Sequence, residues 1–481
     1  MNMQDIQNRL GRNIILTPEN IAVEMVEALP AELWNAPDLK KMHFIDICCK
    51  GGVFLKALLN KLMVAPALVS DVELQDEAVR RKYILNNMLY GIAVCKLSLE
   101  VTRLNLYDKY YIKGNIRQIT NTYEDYIGLI NNKNCKDVAG RIKEQFGNMK
   151  FDVVIGNPPY NNQIYKKFIL VGDKLSSNMN VMITPASWSD TKDEVSEMLK
   201  EKCKYITYYP DTYDCFDIKQ FGGITWFVCI KNSNQECEII NKWKANDIHN
   251  NTRYGSINAK NGEVCLLNGA YSIIEKVLNS TVDTLLNTGY IGTNMDPYGV
   301  SKYFDTKNIE FDAVSSNKDE EYCIGAFQSG KLHGYIRKEY LSNVKNLDKY
   351  KLCVHRRVGF AALPYGNAKV IELKEVHGLR PYEIPILSEI ILTCADSMDE
   401  LMPFYNYYRT KFLRFLVFAG NTSSNYTHGE MWRFVPMQDF TSNSDIDWTQ
   451  SVDNIDQQLY AKYNLTPEEI SYIESTIKPM Q

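Results

Sequence analysis

Apolar and polar positions in the first half of the chain switch repeatedly between two periods. In "TPENIAVEMVEAL", Ile21, Val23, Met25, Val26 and Leu29 fall near helical spacing, with Thr17 suited to the N-cap and Pro18 to the first turn, so a helix is predicted there. "HFIDICC" reads as a short apolar strand, "CKGGV" as a loop and "FLKALLNKLM" as a helix. The alternation continues with "LYGIAV" as a strand, "KGNIRQI" as a turn region and "FDVVIG" as a strand. "NVMITPASW", "YITYYP" and "GGITWFVCIK" are further apolar or aromatic runs. Strands alternating with helices predict an α/β unit with a mostly parallel sheet over residues 1–265. Ligands of such sheets sit at the carboxyl ends of the strands.

From residue 266 the texture changes to turn-rich segments such as "NTGYIGTNMDPYGVSKYF" and "RRVGFAALPYGNAK". Residues 266–440 read as a separate α/β domain with long surface loops. Residues 441–481 carry helical signals, including Thr466 and Pro467 as a helix start. A length of 481 residues fits two or three domains and sizeable cores.

Composition narrows the class without naming a function. A hydrophobic fraction of 45% and a charged fraction of 23% are those of an ordinary folded protein, which excludes a wholly disordered chain. No apolar run approaches the about 18 residues of a membrane span, and "MNMQDIQNRLGRN" lacks an apolar signal core, so a cytoplasmic protein is expected. The 12 cysteines are scattered, with one adjacent pair and no C-x-x-C, so reduced thiols are expected and no metal site is called. A net charge of −4 gives no global basic footprint, and any nucleic-acid contact must come from local patches.

Two stretches carry candidate chemistry. In "FIDICCKGGVFL" a strand ends at Asp46, a small-residue loop turns and a helix starts at about Val53. Glycines let backbone approach a ligand closely, and a carboxylate at a strand end accepts from an ammonium or hydroxyl group. An ordinary strand–turn–helix without a ligand fits the same letters. Neither the phosphate-loop pattern nor G-x-G-x-x-G is present, which weakens nucleotide readings.

"FDVVIGNPPYNN" is more specific. Pro158 and Pro159 fix their own φ and restrain the residues before them, so the turn Asn157, Pro158, Pro159, Tyr160 is stiff. An Asn side-chain oxygen and a proline carbonyl can together accept both hydrogens of an exocyclic amine. Placed out of the ring plane, they favour a pyramidal nitrogen and direct its lone pair toward an electrophile. Tyr160 then stacks on the flat heterocycle, worth about 1–3 kcal/mol per base. A proline-rich turn with a packing tyrosine is the plainer alternative.

These motifs resemble those of S-adenosylmethionine-dependent DNA adenine N6-methyltransferases from restriction-modification systems: "FIDICCKGGVFL" the cofactor loop, "GNPPY" the catalytic loop. "TPENIAVEMV" resembles that family's N-terminal cofactor-contacting helix, and "VMITPASW" and "FGGITWFV" its later strands. "YRTKFLRFLVF", "FVPMQDF", "DIDW" and "LTPEEISYIESTIKPM" resemble its C-terminal half. The resemblance implies an α/β fold: a Rossmann-like methyltransferase sheet with helices on both faces, a mixed α/β target recognition domain and a short helical tail. It also implies S-adenosylmethionine as cofactor, with Asp46 and the backbone at Gly51 and Gly52 holding its methionine part, Thr17 and Pro18 closing over that end and Phe54 lining the pocket. Asn115 falls where the family often has an aspartate near the cofactor's adenine. Asn157, Pro158, Pro159 and Tyr160 are the implied catalytic residues, holding a flipped adenine.

There are departures. Lys50 stands where the family's usual loop has a glycine, a lysine there resembling one branch of single-chain restriction-modification methylases, and Ala93, Val94 and Cys95 stand where an acidic ribose ligand is usual. Asp71 and Glu73 are nearby acids in sequence and read as exposed loop residues.

Double-stranded DNA is the implied partner, with a separate restriction nuclease as an optional second one. A methylase acting within a duplex must unstack its target, so a second domain is expected to read sequence. "KYKLCVHRRVGF" clusters Lys349, Lys351, His355, Arg356 and Arg357; "YYRTKFLRF" adds Arg409, Lys411 and Arg414; and "GNTSSNYTHGEMWRF" ends at a loop with Arg433. Such residues suit phosphate contacts, although each alone also fits a solvated face. Three competing functions stay open: a methylase that also cuts, for which Asp348, Glu372 and Lys374 are a loose match with no nuclease-like segment ahead of residue 17; a DNA-binding specificity protein with a decayed core; and a protein glutamine methylase.

Overall fold

The computed structural model describes residues 15–107, 114–216, 223–243, 250–281, 283–292, 296–304, 313–355, 359–360, 371–372, 376–387, 389–420 and 429–480. By internal contacts the chain divides into two compact units, the first running to Trp243 and including Asn250–Ile257, the second running from Asn258 on. The tail beyond residue 440 is packed into the second unit.

The first unit is built on one sheet. Its strands are β1 (Phe44–Cys49), β2 (Leu89–Ala93), β3 (Ile116–Arg117), β4 (Phe151–Gly156), β5 (Ser176–Pro185), β6 (Cys203–Tyr209), β7 (Ile224–Ile230), β8 (Cys237–Asn241) and β9 (Asn251–Gly255), in the order β3-β2-β1-β4-β5-β7-β6-β8-β9. The strands from β3 to β5 run parallel, while β7 runs antiparallel between β5 and β6. All six residues of β1 are buried, Asp46 among its apolar neighbours included, as expected when both faces of a parallel sheet are covered.

Phe44, Val153, Ile155, Val181 and Ile183 face one core, shared with Met25 and Val26 of the helix Glu19–Glu27 and Leu58 and Leu62 of the helix Val53–Met63. The opposite face is covered by the helix Tyr165–Leu175, whose Gly172 packs so closely on β5 that a Cβ there would lie 2.4 Å from Asn180 Oδ1. This is the expected Rossmann-like arrangement with helices on both faces. The helix Glu19–Glu27 is also pinned by Glu24, which accepts from Tyr209 Oη at 2.7 Å and Trp226 Nε1 at 2.9 Å and pairs with Lys242 Nζ at 2.9 Å.

Local readings differ at three places. "KGNIRQI" holds the short edge strand β3 rather than only a turn. β1 continues past Asp46 to Cys49, because after a register shift Cys49 pairs with Ala93. Thr17 does not cap the first helix: Pro18 occupies the N-cap with no side-chain cap, and the Thr17 hydroxyl is engaged elsewhere.

The second unit is mixed α/β, with a four-stranded, a three-stranded and a two-stranded sheet and the helices Asn268–Ser280, Met402–Arg409, Lys411–Gly420, Val452–Lys462 and Pro467–Thr476. The last helix starts as its letters predict, with a reciprocal capping box between Thr466 and Glu469. The tail is fastened internally: Asp456 accepts from the backbone N–H of Lys411 and of Phe412, both at 2.9 Å, and the Phe412 and Tyr463 rings stack at 5.1 Å. No described helix is long and apolar enough to cross a membrane.

Candidate active site

The strand order reverses direction between β1 and β4, which run side by side with Asp46 opposite Ile155. A crevice at the carboxyl ends of two such strands is the usual ligand position of an open α/β sheet.

From β1 comes Asp46, 2% exposed, whose Oδ1 accepts from the Cys48 N–H at 2.8 Å. Burial pushes its carboxyl up to about 6, against the lowering effects of that N–H, the Cys49 thiol and the Lys50 charge. Lys50, 6% exposed, donates from Nζ to the Ile15 carbonyl at 2.7 Å, and burial draws its ammonium down from the usual range. Gly52 then starts the helix Val53–Met63 in the left-handed region at φ 76°, and a Cβ there would meet Thr102 Cγ2 at 2.9 Å. A Cβ at Gly51 would make only ordinary contacts, with Asn105 Nδ2 at 3.9 Å and Val101 Cγ1 at 4.0 Å, so no protein neighbour requires glycine there. The Gly51 carbonyl is held by Asn105 Nδ2 at 2.9 Å.

From β4 come Gly156 and the proline turn. A Cβ at Gly156 would stand 3.4 Å from Asp46 Oδ1, which places the ends of the two strands side by side. Asn157 follows, 2% exposed. Its Nδ2 donates to Thr17 Oγ1 at 2.9 Å, while its Oδ1 is buried with no hydrogen-bond partner. Such an orphaned acceptor costs about 1–3 kcal/mol, which a ligand hydrogen would recover. Pro158 and Pro159 are buried and Tyr160 is half-buried, its ring edge-on to Tyr165 at 6.5 Å and its hydroxyl buried without a partner. Burial holds that hydroxyl well above the usual tyrosine range.

These elements enclose a cavity of about 240 Å³ that brings together Thr17, Asp46, Gly51, Gly52, Phe54 and Asn157. Lys50, Glu19 and Asn105 also line it. The sequence reading flagged Lys50 only as a departure, and Glu19 and Asn105 belong to no motif that would have marked them. Pro18 sits at the adjoining N-cap, and Pro158, Pro159 and Tyr160 form the turn beyond Asn157, none of them in the lining. A larger cavity of about 460 Å³, lined by Trp34, Lys61, Tyr205 and Thr207 among others, contains none of the expected site residues.

The structure does not bring Asn115 to the site. It opens β3 at the amino end of the strands, and its Nδ2 donates to the carbonyls of Leu85 at 3.3 Å and Asn86 at 2.8 Å. Asp71 and Glu73 are surface partners of Lys40 and do not line the cavity, as expected.

The basic residues of the second unit separate by burial. Arg433, expected at DNA, is interior: 2% exposed, its guanidinium donates to the carbonyls of Gly420, Glu430 and Val264, since a buried charge needs several acceptors. Arg414 and Lys351 are likewise buried, donating to Lys478 O at 2.6 Å and Lys349 O at 2.7 Å. Lys411 pairs with Glu474 and Lys349 with Asp396. Arg409 is half-buried with its guanidinium 5.6 Å from the Tyr405 ring centre, and His355 ends the strand Tyr350–His355 half-buried. Arg356, Arg357 and Lys374 lie outside the described residues. Among the described residues no group of three or more His, Cys, Asp or Glu side chains is arranged to hold a metal ion.

Residues 87–163, spanning β2 to the proline turn, match the family model described as Eco57I restriction-modification methylase. A protein of Mycoplasma pneumoniae (strain ATCC 29342 / M129 / Subtype 1) described as an uncharacterized adenine-specific methylase is 27% identical over 325 residues, covering 51% of this chain and 75% of that protein. Among solved structures, the type IIL restriction-modification enzyme MmeI in complex with DNA superposes with a TM-score of 0.45 at 10% identity, covering 99% of this chain and 78% of that one. The DrdV–DNA complex superposes with a TM-score of 0.48 at 12% identity, covering 92% of this chain and 57% of that one. The M protein of the type I restriction enzyme EcoKI gives 0.33 at 12% identity, covering 48% of each chain. The chain thus spans about half to three-quarters of the length of these structures.

Proposed function

From a chain whose segment 87–163 is matched as a restriction-modification methylase, we propose a DNA adenine N6-methyltransferase that uses S-adenosylmethionine and acts on double-stranded DNA within a restriction-modification system. The observation that carries this reading is the buried, unpartnered Oδ1 of Asn157 on the same cavity as Asp46 and the Gly51–Gly52 loop.

The residues fit both ligands. Asp46 accepts from the ammonium of the cofactor's methionine part, and the Gly51 backbone lines the cavity beside it. Phe54 lines the pocket wall, and Thr17 and Pro18 close over that end. Bound there, S-adenosylmethionine supplies a methyl group on an electrophilic sulfonium. Asn157 Oδ1 and the Pro158 carbonyl accept the two amino hydrogens of an extruded adenine, localising the nitrogen lone pair, and Tyr160 stacks on the base. Proline stiffness keeps both acceptors in place before the base arrives, so little reorganisation is needed during transfer.

In this reading residues 266–440 read the target sequence, with His355, Arg356, Arg357, Arg409 and Lys411 as the candidate DNA contacts. The enzyme works in the cytoplasm beside the genome, with or without a separate nuclease. Asn157→Ala removes the key acceptor but not the methionine contacts. Methyl transfer is expected to vanish while calorimetry still detects cofactor binding; an active Asn157→Ala enzyme overturns the assignment. Methylation-sensitive long-read sequencing of DNA from cells expressing the chain reads out the modified base and its motif together.

A further inference from the structure

Lys50 lines the cavity and has no part in the proposed mechanism. Its ammonium has three donor hydrogens, is 6% exposed, and makes one hydrogen bond, to a neutral carbonyl at Ile15. Among the described residues no carboxylate lies within ion-pair distance of it, Asp46 included. A buried cation with one neutral partner is poorly compensated, and its stability is recovered when an anion enters. Asp46 is the mirror case on the same cavity: a buried carboxylate whose contacts are donors of the loop itself. The cavity therefore offers a carboxylate and an ammonium that are not paired with each other, four positions apart in the chain. That is the complement of an amino-acid zwitterion.

We propose that Lys50 recognises the carboxylate of the cofactor's methionine part, while Asp46 takes its ammonium. This rests on the S-adenosylmethionine reading above. In the resembled loop a glycine at this position brings only backbone, so here a side chain supplies a charge contact that the backbone does not. The bond to Ile15 aims the ammonium and leaves two of its hydrogens for the ligand.

The test is a ligand comparison on the full chain. Calorimetry would measure S-adenosylmethionine and S-adenosylhomocysteine, which carry the carboxylate, against decarboxylated S-adenosylmethionine, which lacks it. Lys50→Met is expected to weaken the first two by about 10- to 100-fold and to leave the third within about twofold. Lys50→Gln retains a donor for Ile15 without the charge and should behave like Lys50→Met, whereas Lys50→Arg should recover most of the affinity. Equal loss for all three ligands would mean that Lys50 only tethers Ile15, and unchanged binding would mean that it does nothing for the ligand; either overturns the proposal. If the Met and Gln variants do not fold, a wild-type chain that fails to prefer the carboxylate-bearing sulfonium by at least about tenfold still overturns the proposal. A wild-type chain that binds none of the three removes the cofactor reading itself, an outcome distinct from failure of Lys50 alone.

Discussion

Asn157 donates its side-chain amide to the hydroxyl of Thr17, 2.9 Å away and 140 positions earlier in the chain. This bond fixes which end of the amide is occupied. With Nδ2 committed to Thr17, Oδ1 is the end left for a substrate hydrogen. Thr17→Val should lower kcat for methyl transfer by about tenfold, roughly the worth of one buried hydrogen bond, while Thr17→Ser should stay near wild type. Single-turnover kinetics of the two variants check this.

Asp46 gives a pH dependence whose sign can be worked out. Burial raises its carboxyl to about 6, so in the free protein it is largely protonated below that pH and cannot receive a cofactor ammonium. Cofactor affinity should rise with pH through about 6 and then level off, with proton release on binding at pH near 5 to 6. Asp46→Asn should bind more weakly and lose this dependence in calorimetry from pH 5 to 8. Because the folded state holds this proton more tightly than the unfolded chain, with its ordinary value of about 3.9, the Asp46 contribution makes ligand-free stability fall as pH rises between the two values.

The two loop glycines should separate folding from binding. Gly52→Ala places a Cβ 2.9 Å from Thr102 Cγ2 on a backbone at φ 76°, and is expected to cost about 1–3 kcal/mol in thermal unfolding. Gly51→Ala meets nothing nearer than 3.9 Å, so it should melt like wild type yet bind cofactor less well.

The arginines of the second unit should separate in the same way. Arg433→Met removes a guanidinium held by three carbonyls and leaves those acceptors buried, so a loss of about 2–4 kcal/mol in stability is expected. Arg409→Ala should leave melting nearly unchanged; if Arg409 touches a phosphate, the slope of DNA affinity against log salt falls by about 1. Thermal melts and salt titrations distinguish the two.

Much of the first unit was legible because its strands are short apolar runs punctuated by glycine and proline, and because Pro158 and Pro159 leave their own backbone and that of Asn157 few choices. Asp46 and Asn157 could be paired as candidates from their motifs, yet their adjacency depends on β1 and β4 being neighbours, which only the strand order shows. Thr17 was misread as a cap because a threonine ahead of a proline and a helical run carries a local signal, whereas its actual partner is long-range. Asn105 and Lys50 left no usable letters: one is an amide inside a helix, the other looked like a flaw in a glycine loop. In the second unit, charge patterns misled at Arg433, because a guanidinium satisfied by carbonyls is indistinguishable in sequence from one offered to phosphate.

The bonds from Lys50 to Ile15 and from Asn157 to Thr17 stitch one short stretch near the amino end to two loops made later. During synthesis this stretch leaves the ribosome before either loop and must wait until β4 has emerged before its second stitch can close. A nascent chain halted before residue 157 would hold the loop 46–52 without this closure, and a change at residues 15–17 would be felt at Asn157, far away along the chain.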